Sequence, residues 1–344
     1  MSLAFPAPMT RATRSTRLLI VLLALAVPIA VAVGCGSNSD GGGDTAPAQP
    51  QPAAKAEDFP SAQGRTLPDL IANLPSGPVL APSVSVLDKG TNRIGFALFD
   101  TAGKQLSGAG VSLYIGATDG SSARGPFLAR SESLKVSPQF ESKQTATDPD
   151  AARGVYVADV PFKKDGKYAM LAIAKLDGRV VATSPIGVQV GGKKIVPPAV
   201  GDKAPVVHTL TPADVAGDVS KIDTRIPPAP SLLKDDFADV VGKKPVVLTF
   251  ATPQLCQSRV CGPVVDVVDQ VQAKVGDKVS FIHQEVYKDN EVNKGLRPQL
   301  QAYRLQTEPW TFVIDKRGVI STRFEGAFSP GELERAVAKV TAPS

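Results

Sequence analysis

The sequence predicts a multidomain chain, with an all-β sandwich over residues 76–193 followed by an α/β domain over 194–344. Three observations carry that division. Between Val79 and Val190, short runs such as "RIGFALFD", "GVSLYIG" and "GVYVADVPF" alternate apolar and polar positions with period two, and turn signals such as "DTAGKQ", "KKDGK" and "LDGR" separate them. The stretch "GGKKIVPPAVGDKAP" is rich in Pro, Gly and Lys and ends the alternation. Beyond it, continuous apolar runs of strand length exchange with runs at helical spacing.

Ahead of both domains, residues 1–34 read as a secretory signal. Arg11, Arg14 and Arg17 form a basic flank without an acid, and "LLIVLLALAVPIAVAV" follows, 16 residues without a charge. The run is shorter than the ~20 residues of a membrane span and contains Pro28. The closing "AVGC" resembles the bacterial lipobox, with Ala32 where Leu is commoner. That resemblance implies acylation of Cys35 and attachment to the bacterial cell membrane on its extracytoplasmic side. An uncleaved anchor would leave the body on the same side. Residues 35–75 then read as a flexible tether, since "GSNSDGGGDTAPAQPQPAAKAEDFPSAQG" has too few large apolar residues to offset the entropy of ordering. A short helix in "TLPDLIANLPSG" closes it.

The signal also explains the charge. The chain has 38 basic and 33 acidic residues, a net +5, and without the three arginines of the signal the count is 35 against 33, or +2. With no basic run either, nucleic acid is not an expected partner.

Six or seven strands in the 76–193 segment resemble an immunoglobulin-like β-sandwich, here without a cysteine to staple its sheets. The long segment from Ser121 to Gly154 is an elaborated connection. Its "TDPDAARG" places Asp148 and Asp150 around a proline, a turn pattern rather than a cation site. No catalytic or ligating cluster is legible, so the domain reads as a spacer or a binding module.

In the second domain "KKPVVLTFAT" is a strand covered on both faces. "GPVVDVVDQVQAKVG" is a helix with Pro263 in its first turn, Val264, Val267, Val268 and Val271 on one face, and Gly276 at its end. "KVSFIHQEVY" is a second strand, "LRPQLQAYRLQ" a helical or irregular piece, and "PWTFVIDKRGVISTRFEG" a hairpin. "SPGELERAVAKV" closes the chain as a helix with Ser329 as N-cap and Glu332 as its capping-box partner. The order is β-α-β-α-β-β-α.

That order, with Cys256 and Cys261 between the first strand and its helix, resembles the thioredoxin-like fold. "VGDKAP", "VVLTFAT", "TEPWTFVID" and the closing hairpin and helix carry the resemblance over roughly Val200 to Ser344. It implies a thiol-disulfide pair at Cys256 and Cys261. It also implies a cis-proline at Pro309, flanked by Thr307 and Trp310, that helps hold a thiol substrate. A protein thiol or disulfide is then the partner, and no cofactor is expected.

The spacing departs from the family's Cys-x-x-Cys. In one continuous helix, residues i and i+5 point about 140° apart and lie about 7.5 Å apart along the axis, beyond disulfide reach. Cys256 therefore belongs to the loop and Cys261 to the helix start, and in an oxidising compartment the two are expected to be bonded at rest. The helix terminus and nearby Arg259 favour Cys261 as the more acidic thiol, whereas loop exposure favours Cys256 as the one a substrate meets first. The pair is assigned and the order left open.

Two further readings compete with disulfide exchange. In one, a non-catalytic binding or assembly protein merely staples its loop. In the other, the chain handles copper, as family members with a Cys pair and a later His do. Only His208 and His283 exist, which excludes a His-rich metal site, and His283 lies mid-strand where a core role is expected.

Overall fold

The computed structural model describes residues 54–192, 194–256 and 258–342. The signal, Cys35 and the first part of the tether lie outside the described residues. Among the described residues no helix is long and apolar enough to cross a membrane.

Residues from 54 onward, expected as the end of the tether, are folded, and the short helix expected to close it is present. A 3-10 turn at Ala56–Asp58 and helix α1 (Leu67–Ile71) pack on the β domain. Phe59, Leu67 and Leu70 are buried with Tyr114, Leu171 and Ile173. Three large apolar side chains in that half of the segment are enough to dock it, which the averaged composition hid.

The β domain comprises β1 (Val79–Pro82), β2 (Gly90–Phe99), β3 (Gln105–Leu106), β4 (Gly110–Gly116), β5 (Arg124–Ser133), β6 (Gly154–Phe162), β7 (Gly166–Leu176), β8 (Arg179–Ala182) and β9 (Ile186–Val190). All pairings are antiparallel, in the order β1-β2-β6-β5-β4-β7-β8, with β3 on β2 and β9 on β7. Instead of two separate sheets there is one, because β5 bonds both β6 and β4. The sheet curls as a half-barrel, so that Ile94, Phe96 and Val160 share a core with Leu113, Ile115 and Met170. The opposite face of β4 and β7 is covered by α1 and the turn before it, which is why β4 reads as almost continuously apolar.

The connection from β5 to β6 carries helix α2 (Lys143–Thr147). The α/β domain follows, with α3 (Phe237–Val240), β10 (Val246–Phe250), α4 (Cys261–Val275), β11 (Ser280–Gln284), α5 (Pro298–Ala302), β12 (Trp310–Ile314), β13 (Ile320–Glu325) and α6 (Pro330–Thr341). The sheet order is β11-β10-β12-β13, with β10 and β11 parallel and the remaining pairs antiparallel. The two helices α4 and α6 share one face, where Val264, Val268, Val271, Leu333 and Val337 meet Val247, Phe281 and Val313. Phe237, Phe250, Tyr303 and Phe312 fill the other face. Gly276 takes a φ of 69° as the C-cap of α4, and Ser329 and Glu332 form the capping box of α6.

The two sheets, which lie in one compact unit over residues 50–344, are joined by largely buried charge. Glu332 of α6 receives Arg93 Nε at 2.8 Å and Nη2 at 2.7 Å, and Arg130 Nη2 at 3.1 Å. Glu325 of β13 accepts from Ser85 Oγ at 2.6 Å and from the Val86 amide at 3.0 Å. Beside α4, Arg225 Nε donates to Asp266 Oδ1 at 2.9 Å, and its remaining nitrogens donate to the carbonyls of Phe140 and Pro227. Asp266 Oδ2 accepts from the amide and the hydroxyl of Ser142, both at 3.0 Å. The β5–β6 connection is thereby fixed over the N-terminal half of α4.

Candidate thiol site

The site begins where β10 ends. The chain turns at Thr252, runs through the loop that carries Cys256, and enters α4 at Cys261. Arg259 has a φ of 56°, a left-handed conformation that folds the loop back toward the helix start. Cys256 is half-buried and Cys261 fully buried, and both are free thiols. The bond expected at rest is thus open in this structure, with Cys256 packed against the core cluster that holds Cys261.

The two thiols are chemically unequal. Cys256 is lowered to about 6, chiefly because the Cys261 thiol donates to its sulfur, against the opposing effect of burial. The Ser258 hydroxyl, 3.2 Å from the Cys256 sulfur, and the backbone N–H groups of Val260 and Cys261 add to the lowering. Burial pushes Cys261 well up, and its role as donor to Cys256 raises it further. The expectation that the helix start makes Cys261 the more acidic thiol is therefore reversed. The unsatisfied N–H groups at the terminus of α4 act on the loop sulfur in front of them, whereas Cys261 is itself part of the first turn and loses its solvation.

Arg259 does not serve the thiolate either. Its guanidinium pairs with Asp150 and stands 3.6 Å from Asp148, both in the "TDPD" turn of the β domain. The Ala152 amide donates to the Arg259 carbonyl at 3.2 Å. That turn, read as structural in the sequence, is a clamp on the cysteine loop. Gly262 is closely approached, since a Cβ there would stand 3.1 Å from Thr145 Oγ1 of α2.

The Glu308–Pro309 bond is cis, as the resemblance implied, and Pro309 is buried. Thr307 and Glu308 line a cleft of about 670 Å³ between the two sheets, together with Ser258, Arg259 and Val260 of the cysteine loop and Phe96 and Val155 of the larger sheet. Burial raises Glu308, and the charge of Cys256 adds to it. Trp310 is not at this surface. It is buried, stacks on Phe312 with ring centroids 5.9 Å apart, and donates from Nε1 to Thr307 Oγ1 at 3.0 Å. Of the three residues expected to hold a substrate, Thr307 faces the cleft while Pro309 and Trp310 lie beneath it. A second hollow of about 390 Å³ exposes Cys256 itself, walled by Gln144, Thr145 and Asp148 on one side and Pro253 and Pro263 on the other.

His283 is buried in β11 and its Nε2 lies 3.0 Å from the Ala251 carbonyl. The residues that sequence reasoning missed are Arg225 and Asp266. One signal was present: Asp266 interrupts the valines of α4 at a position that the helical period buries.

No family model matches the chain, and no curated protein does. Among solved structures, a thiol:disulfide interchange protein of the thioredoxin family from Chlorobium tepidum TLS is 17% identical, with a TM-score of 0.29 over 44% of this chain and 100% of that one. A thioredoxin-like superfamily protein is 16% identical, with a TM-score of 0.26 over 32% of this chain and 88% of that one. The Lin-41 filamin domain is 16% identical, with a TM-score of 0.19 over 34% of this chain and 100% of that one. The thioredoxin-like proteins are weak neighbours that each cover part of the chain, and the chemistry has to come from the residues.

Proposed function

We propose that this chain is an extracytoplasmic lipoprotein, anchored through Cys35, whose thioredoxin-like domain exchanges disulfides through Cys256 and Cys261. The carrying observation is that Cys256, half-buried and backed by the N–H groups of α4, packs against the core that holds the buried Cys261 five positions later. The Cys256 thiolate attacks one sulfur of a substrate disulfide. The S–S bond breaks, a mixed disulfide forms, and the other substrate sulfur leaves as a thiolate that takes up a proton. Cys261 then gives up its proton and attacks Cys256, releasing the second substrate thiol and leaving the Cys256–Cys261 disulfide. Two electrons pass to the substrate in all, and the reverse sequence oxidises it.

The β domain, of immunoglobulin-like type in this reading, narrows access to the attacking sulfur. Its α2 and its Asp148–Asp150 turn wall one side of the Cys256 hollow. The protein thiol partner must therefore present an extended segment rather than a flat surface. The test is a trap. Cys261→Ser should accumulate a mixed disulfide between Cys256 and a model peptide disulfide, while Cys256→Ser should accumulate none. Equal failure of both variants to form the adduct would sink the exchange reading and leave a structural staple.

A further inference from the structure

Behind the thiols, three buried side chains converge. Asp223, His283 and Glu285 each direct a donor atom to a common point, with the three atoms within 4.8 Å of one another, and among the described residues no other such group of His, Cys, Asp and Glu occurs. Every other polar atom of the three is already engaged. His283 Nε2 lies 3.0 Å from the Ala251 carbonyl, a contact that needs its proton there and leaves Nδ1 with a free lone pair. Glu285 Oε1 accepts from the Thr224 amide at 2.8 Å and its hydroxyl at 2.7 Å. Asp223 Oδ2 accepts from the Ala229 amide at 2.9 Å, and Oδ1, the oxygen that faces His283, accepts from the Arg225 amide at 2.8 Å and keeps a second lone pair. His283 Nδ1 and Glu285 Oε2 are fully buried and make no hydrogen bond among the described residues.

We propose that Asp223, His283 and Glu285 form a binding site for a divalent cation of the Zn²⁺ class. A histidine that fixes one nitrogen on a backbone carbonyl and turns the other toward carboxylates has the outer-shell arrangement of a metal ligand. The spacing agrees. His283 Nδ1 stands 3.5 Å from Asp223 Oδ1. That is long for a charge-assisted hydrogen bond of about 2.8 Å. It matches the roughly 3.4 Å between two ligands of one tetrahedral ion with bonds near 2.1 Å. A protonated imidazole would serve Asp223 poorly and would leave Glu285 Oε2 only the buried Thr252 hydroxyl, which makes no hydrogen bond among the described residues. Arg297 does not supply one, because its Nη2 donates to the Lys221 carbonyl and to Asn290 Oδ1 and its Nε has no partner. The nitrogen and oxygen donor set is too hard for Cu(I), which thiolates would take.

The site is independent of disulfide exchange and is tested without it. The Cys256→Ser/Cys261→Ser double variant, produced with zinc in the medium and dialysed, should retain one equivalent of Zn²⁺ by elemental analysis. Exchange for Co²⁺ should give visible ligand-field bands without the sulfur charge-transfer band. Asp223→Asn and Glu285→Gln, which keep side-chain shape, should each weaken Zn²⁺ retention at least tenfold. A folded double-serine variant that retains no metal overturns the proposal, as does unchanged retention in Glu285→Gln. If the carboxamide variants do not fold, the stoichiometry in the double-serine variant still decides.

Discussion

The half-buried Cys256 packs against the core that holds the buried Cys261, and this pairing splits two identical groups into an acidic thiol and one that keeps its proton until it is called on to resolve a mixed disulfide. In the reduced protein, Cys256 should therefore alkylate with a midpoint of about 6. At neutral pH it should react at least about tenfold faster than Cys261, because the thiolate is the nucleophile. Mass mapping of iodoacetamide adducts against pH checks this. The linkage has a definite sign. A folded-state pKa below the unfolded one stabilises the reduced form fully above the unfolded thiol value, about 8.5. That contribution is lost as pH falls through about 6.

Arg259 should matter little to that acidity. It pairs with Asp150 and Asp148 instead of the sulfur, and all three are substantially exposed. Arg259→Ala keeps a residue with a Cβ in the same left-handed conformation and removes only the ion pairs. Stability in urea titrations should barely change, as for other exposed ion pairs, with the alkylation midpoint of Cys256 unchanged. A midpoint displaced upward would mean that the guanidinium acts on the thiolate after all.

Arg225 and Asp266 should behave oppositely. Both side chains are nearly inaccessible, and the pair joins the β5–β6 connection to α4. Arg225→Ala strands a buried carboxylate and should cost about 3–5 kcal/mol. A double replacement, Arg225→Met with Asp266→Leu, should recover much of that loss. Denaturant melts of the two variants separate lost charge pairing from lost packing.

Glu332 makes domain docking sensitive to acid. Burial pushes its carboxyl up, but the hydrogen bonds and charge of Arg93, with the Ser329 amide and Arg130, outweigh burial and hold it below the usual range. Its contribution is present above the unfolded value of about 4.3 and is lost as pH falls through the lower folded value. Glu332→Gln should cost roughly 3 kcal/mol at pH 7 and flatten the stability profile at acid pH. Thermal melts between pH 3 and 7 would show it.

Much of the second domain was legible because its signals are local. Pro263, Gly276, Ser329 and Glu332 mark helix ends by their own chemistry, and the valines of α4 declare its buried face. The cysteine pair and the proline of "TEPW" were equally legible. What escaped depends on partners far away in sequence. The acidity order of the thiols turned on desolvation of Cys261, which no spacing reveals. Arg259 was assigned to the thiolate because its neighbours in sequence are cysteines, whereas its neighbours in space are Asp148 and Asp150. Trp310 adjoins Pro309 in sequence, but β12 is covered on both faces, so Trp310 lies in the core. Curling of the β domain into one sheet depends on β5 bonding strands on both sides, and period-two alternation is blind to that.

The reduction potential of Cys256 and Cys261, measured by equilibrating the soluble chain in glutathione buffers and counting free thiols, tests the central claim most directly. A reversible two-electron couple more oxidising than about −300 mV is the expected result. A potential well below that value, with Cys256 resistant to alkylation after reduction, would contradict disulfide exchange and identify the pair as a staple.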